Sequence, residues 1–218
     1  MVIGSLTVTF LVWVALFPKH LLQLVARFCY RLKVVNNQVI PKTGAGVIIA
    51  NHVSFIDWLF IVVTCKRKIY FVIWYKFFKI PLFGSFLKLF PLIPIAGQKE
   101  NFEVYEESFV MINQLLDKGE MICIFPEGKI TYDGHLNKFK SGLSRILTEN
   151  DVPLYAMVLK GLFGSFFSRK DGKTFKQFDK LSSTIEVKFR HVTKNDWRNL
   201  DDLEQIFRQE LSDTINPE

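Results

Sequence analysis

Val47-Ile48-Ile49-Ala50-Asn51-His52-Val53-Ser54-Phe55-Ile56-Asp57 is the stretch from which the rest of the chain is read. Its first four residues form an apolar run of the kind that makes a buried strand. Its last residue is the only carboxylate before Glu100. His52 and Asp57 cannot meet on a regular element. Five helical steps turn about 500° and leave the two side chains ~140° apart. Five strand steps put them on opposite faces. They meet only if the chain turns between them, with His52 at a strand end and Asp57 on the first turn of a helix. Strand-to-helix corners of this kind carry catalytic groups in α/β folds. Such a pair can be a general base and its orienter. Equally, Asp57 can be no more than a favourable charge at a helix N-terminus.

Outward from this stretch, strands and helices alternate. Trp58 to Thr64 continues as a short buried helix, and Ile69 to Ile73 and Pro91 to Ile95 read as strands. Asn101 caps a helix running to Lys118, with Phe102, Tyr105, Phe109, Ile112 and Leu116 on one face and Gly119 as terminator. Met121 to Phe125, Leu154 to Leu159 and Ile185 to Phe189 read as strands, and Leu143 to Leu147 as helix. Asp196 is expected to cap a last amphipathic helix bearing Trp197, Leu200, Leu203, Phe207 and Leu211. The alternation indicates an α/β sheet sandwich. Gly44-Ala45-Gly46 precedes a strand and lacks a third glycine, so a dinucleotide site is not supported.

The 218 residues carry a net charge of +7 that is unevenly divided. Residues 1–99 hold twelve Lys or Arg and one acid; residues 100–218 hold sixteen and twenty. Mean hydropathy is +0.18, and 22 residues are Phe. A basic, apolar N-terminal half suits an anionic membrane surface or a phosphorylated substrate. Nucleic acid is disfavoured, because the basic residues interleave with aliphatic and Phe runs and no binding motif is present. Cys29, Cys65 and Cys123 are odd in number and lack metal-ligand spacing, as do the four scattered histidines. The thiols read as reduced, in a chain that folds on the cytosolic side. Residues 1–17 are almost wholly apolar, and Leu21 to Leu32 has the pattern of an interfacial helix with Arg27 and Arg31 among headgroups. Residues 1–35 are therefore expected to form a membrane-anchoring helical hairpin, with an ordinary buried helix pair as the alternative. From Tyr75 to Phe90, five phenylalanines mix with Lys76, Lys79 and Lys88. That segment can wall an acyl-chain site, touch a membrane or pack in a core.

A second constellation, Ile124-Phe125-Pro126-Glu127-Gly128-Lys129-Ile130-Thr131, follows a strand directly. Pro126 ends pairing. Gly128 allows backbone amides to approach a ligand. Glu127 and Lys129 can hold a polar headgroup, the acid through hydroxyls and the base through phosphate. Lys138 and Lys140 add two ammonium groups just before a helix start. Read alone, Pro-Glu-Gly is a tight turn.

Together, His52-x4-Asp57 after one strand and Phe125-Pro126-Glu127-Gly128 after another resemble the glycerolipid acyltransferases, the 1-acyl-sn-glycerol-3-phosphate acyltransferases among them. The resemblance spans residues 20–195 and includes Val152-Pro153-Leu154-Tyr155-Ala156. It implies a central mixed sheet flanked by helices over residues 36–218. It implies transfer of an acyl chain from acyl-CoA or acyl carrier protein, as co-substrate, to a lysophospholipid hydroxyl, with no metal or bound cofactor. It also implies association with membrane lipids at the cytoplasmic face of the inner membrane. His52 would be the base and Asp57 its orienter, while Glu127, Gly128, Lys129 and Lys140 would bind the acceptor. With no Gly-x-Ser-x-Gly elbow and no cysteine beside the histidine, direct attack without an acyl-enzyme is expected. Two departures concern the headgroup. The family's second block usually carries an arginine after its strand, where this chain has Ile95-Ala96-Gly97-Gln98-Lys99, leaving Lys99 as the substitute cation. The third block continues Lys129-Ile130-Thr131 in place of the usual Thr-Arg. Together with Leu162 to Arg169, this is similar to acyltransferase modules fused to acyl-carrier-protein synthetases, some of which use lysophosphatidylethanolamine.

Overall fold

A computed structural model of the chain describes residues 30–165, 167–168 and 184–212. Seven strands form one sheet: β1 (Arg31–Val35), β2 (Gly46–Ala50), β3 (Tyr70–Trp74), β4 (Leu92–Ile95), β5 (Met121–Ile124), β6 (Leu154–Lys160) and β7 (Thr184–Val192). Their order is β1-β7-β6-β2-β5-β3-β4. The block from β6 to β4 is parallel, β7 runs antiparallel to β6, and β1 is parallel to β7. The sheet is thus mixed, as expected.

Every residue of β2 is buried, because helices cover both faces of the sheet at its centre. Ile48 and Ala50 face the cluster that contains Leu59, Phe60 and Val63 of α1 (Asp57–Thr64). Val47 and Ile49 face Phe109, Ile112 and Leu116 of α3 (Phe102–Asp117), with Leu143 and Ile146 of α4 (Gly142–Glu149) and Leu203 and Phe207 of α5 (Leu200–Ser212). A short helix, α2 (Phe83–Leu87), lies between β3 and β4. Asn101 caps α3 as its type predicts, its side chain accepting from Val104 N–H at 3.1 Å. Gly119, at φ +77°, ends that helix.

Two expectations change. Residues 1–29 lie outside the described residues, and with them nearly all of the expected hairpin. The remainder of that segment is not helical, since Arg31–Val35 pairs residue for residue with β7. The β-branched Val34 and Val35 suit an edge strand, and the domain therefore includes β1. Asp196 does not cap the last helix. Its carboxylate accepts from the Thr193 N–H and hydroxyl, and the α5 cap falls to Asn199, whose Oδ1 accepts from Asp202 N–H. No helix among the described residues is long and apolar enough to cross a membrane.

Candidate active site

β2 and β5 are neighbours, so the loops leaving their C-terminal ends are neighbours too. This places the two sequence constellations together. The loop after β2 turns sharply, and α1 begins at Asp57 itself. Nδ1–H of His52 donates to Asp57 Oδ2 at 2.8 Å, and Val53 and Ser54 N–H donate to the same oxygen at 2.8 and 2.9 Å. Asp57 is wholly buried, whereas the His52 side chain is 22% exposed. The imidazole stacks on Phe125 with ring centroids 4.3 Å apart. One ring nitrogen is thus tied to the buried acid, and Nε2 has no partner among the described residues.

The loop is held from three sides. Asn51 extends the β2–β6 ladder with its side chain: Nδ2 donates to the Leu159 carbonyl at 2.9 Å, and Oδ1 accepts from Leu159 N–H at 2.8 Å. The Ser54 hydroxyl and Phe55 N–H both donate to the Phe167 carbonyl, at 3.1 and 3.0 Å. From the β5 side, Thr131 N–H donates to the His52 carbonyl at 2.9 Å.

Glu127 is not where the sequence reading put it. It is 1% exposed, and its Oε1 accepts from His52 N–H at 2.7 Å. Its Oε2 accepts from Asn137 N–H at 2.7 Å and from Asn137 Nδ2 at 2.9 Å. Both oxygens are engaged by protein donors, so this carboxylate clamps the β5 loop to the backbone of His52. Gly128 is also reassigned. Its N–H closes the turn onto the Phe125 carbonyl at 3.0 Å and is not offered to a ligand. What the position requires is φ +66° beside the Lys140 stem.

Lys129 and Lys140 are exposed at this rim, and neither forms an ion pair with a described acid. Lys99 stands apart, in the turn after edge strand β4. Three strand spacings, roughly 14 Å, separate β4 from β2, so Lys99 is not brought beside His52.

Burial also decides the electrostatics. It raises the pKa of Asp57, against the opposing pull of His52 and of the Ser54 and Val53 amides. The twelve Lys and Arg of residues 1–99 do not outweigh that desolvation. Burial likewise raises Glu127 and pushes the Cys123 thiol well up, so Cys123 is no nucleophile. Among the described residues no three His, Cys, Asp or Glu side chains are grouped to hold a metal. Sequence reasoning gave no role to Asn137 or to Phe125. No motif marks an asparagine ten residues beyond Glu127, though an aromatic at a strand end beside a histidine is a readable hint.

The fold is also found in a 1-acyl-sn-glycerophosphate acyltransferase, PlsC, from Thermotoga maritima, with a TM-score of 0.66 at 16% identity over 97% of this chain and 90% of that one. The chloroplastic 1-acyl-sn-glycerol-3-phosphate acyltransferase of Arabidopsis thaliana is 24% identical over 133 residues, 61% of this chain and 36% of its own. The probable 1-acyl-sn-glycerol-3-phosphate acyltransferase of Mycoplasma pneumoniae is 27% identical over 163 residues, covering 70% and 59%. The chain thus spans between about a third and two-thirds of the length of the curated relatives it matches. Residues 31–160, more than half of the 218, match the Acyltransferase family model, and they contain the His52–Asp57 pair and its clamp; the chain belongs to that family.

Proposed function

We propose that the chain transfers an acyl group from a thioester, carried by coenzyme A or acyl carrier protein, to the free hydroxyl of a lysophospholipid. The first choice of acceptor is 1-acyl-sn-glycerol-3-phosphate, giving phosphatidic acid. The observation that carries this reading is the His52 ring fixed at 2.8 Å by a wholly buried carboxylate while its side chain stays 22% exposed and Nε2 has no partner among the described residues. A glycerol hydroxyl is a weak nucleophile until its proton is removed as it attacks. Nε2 of His52 takes that proton, and Asp57 holds the tautomer and stabilises the imidazolium. The hydroxyl oxygen adds to the thioester carbonyl, the tetrahedral intermediate collapses, and the thiolate leaves with a proton returned from His52. The curated relatives named for this acceptor support the choice.

For the oxyanion we assign the amides of Lys129 and Ile130. They lie in the turn bonded to His52 and find no acceptor among the described residues. Lys129 and Lys140 meet the acceptor phosphate as mobile point charges, without the bidentate grip of an arginine. No metal or bound cofactor enters this scheme, and both substrates are drawn from or delivered to a membrane surface. An acceptor panel with one labelled thioester tests the reading. Label should appear in diacyl phospholipid, fastest with the phosphate acceptor. Label in free fatty acid alone contradicts acyl transfer, and preference for an ethanolamine headgroup contradicts the acceptor.

A further inference from the structure

We propose that the segment Trp74 to Phe90 is a docking surface for an anionic phospholipid bilayer. Seven large apolar side chains of this segment are exposed: Trp74, Phe77, Ile80, Leu82, Phe83, Leu89 and Phe90. Leu82 is 85% exposed and Leu89 63%. Isolated exposed apolar residues are ordinary, but seven within seventeen positions form a patch that water does not favour.

The backbone holds this patch outward. Phe83 N–H donates to the Pro81 carbonyl at 2.7 Å, closing a three-residue turn with Leu82 at φ +62°. L-residues other than glycine rarely adopt that conformation. Behind the tip, Gly84 lies so close to Phe78 that a Cβ would stand 2.0 Å from the Phe78 carbonyl oxygen. The tip is therefore built on a tight turn.

Charge selects the occupant. Between Asp57 and Glu100 there are seven Lys or Arg and no acid. Lys76 and Lys79 each stand 4.8 Å from a ring centroid, over Trp74 and Tyr75 respectively. Lys76 is paired with Glu100, whereas Lys79 and Lys88 have no acidic partner among the described residues. Lysines beside Trp and Tyr rings, with leucine and phenylalanine projecting beyond, match headgroup and acyl layers in turn.

Position supplies the purpose. Phe71 pairs with Cys123, and Cys123 with Ile48, so Trp74 stands level with Asn51. It is two strand spacings, roughly 10 Å, from the catalytic loop. The patch would thus set the mouth of the site at the lipid surface. The inference takes its purpose from the lipid-acceptor reading, but it is measured without substrate, so either can fail alone.

The test uses the full chain carrying Leu82→Cys in a Cys29→Ser background, since Cys65 and Cys123 are buried. An environment-sensitive fluorophore is attached at position 82, and in a parallel protein at Lys118→Cys beyond the end of α3. Phosphatidylcholine vesicles containing phosphatidylglycerol should blue-shift the probe at 82, and brominated acyl chains should quench it, with neither effect at 118. Introducing Lys79→Glu with Lys88→Glu should abolish the preference for anionic over neutral vesicles. No shift at 82, equal shifts at both positions, an unaltered lipid preference in the charge variant, or a shift that grows with protein concentration without lipid would each overturn the proposal.

Discussion

Replacing Glu127 separates a clamp from a substrate contact. Glu127→Ala removes the acceptor for three donors: His52 N–H, Asn137 N–H and Asn137 Nδ2. A hydrogen bond to a charged group contributes about 1.5–3 kcal/mol, so the simple sum is about 4.5–9 kcal/mol. Two effects reduce it. Burial already raises the pKa of Glu127, so removing the charge relieves some desolvation. The donors also sit on half-buried residues that water can reach. A net loss of about 2–4 kcal/mol follows, read by urea unfolding. Glu127→Gln keeps the volume but offers one acceptor oxygen, and should lose about half as much. Because the clamp ends on the backbone of His52, a small displacement of the imidazole should lower kcat by ~10²-fold, while KM for the acceptor shifts less than about threefold. A tenfold rise in KM with kcat and stability intact would refute the clamp and return the carboxylate to the acceptor.

Three further outcomes are expected. Asp57→Asn should lower kcat by ~10²–10⁴. Its stability should also diverge from the parent with pH: a carboxyl whose pKa is raised above 3.8 holds its proton more tightly in the folded state. The parent therefore loses stability as pH rises through that window and the asparagine variant does not; urea titrations showing the opposite slope would contradict this. Lys129→Gln and Lys140→Gln should each raise KM for a phosphorylated acceptor by about five- to tenfold with kcat nearly unchanged, and added salt should narrow the gap. Gly128→Ala should destabilise by about 1–2 kcal/mol, because its φ of +66° is disfavoured with a Cβ and Lys140 Cγ would lie only 3.4 Å away; a neutral alanine would show that the turn relaxes.

The part of the fold readable in the sequence was the part fixed by local chemistry. The apolar run before Asn51, the asparagine cap of α3 and the proline after β5 each declare an element within a few residues. The His52–Asp57 pair was legible for the same reason, since its spacing forces a strand-to-helix corner. What escaped depended on distant partners. Arg31–Val35 carries the basic and apolar mixture of an interfacial helix, and only pairing with β7, some 150 residues away, makes it a strand. The carboxylate of Glu127 could face a ligand or the protein, and the choice lies with Asn137 and the backbone of His52. Lys99 looked like a replacement cation because sequence carries no strand order, and only the order β2-β5-β3-β4 shows its distance from His52.

Single turnover with a labelled acyl thioester and 1-acyl-sn-glycerol-3-phosphate bears most directly on the acyl-transfer account. The parent chain should release one thiol for each diacyl product, with no label on the protein, and His52→Ala should slow that step by at least ~100-fold while unfolding normally in urea. Undiminished turnover by His52→Ala, or label bound covalently to the chain, would contradict it.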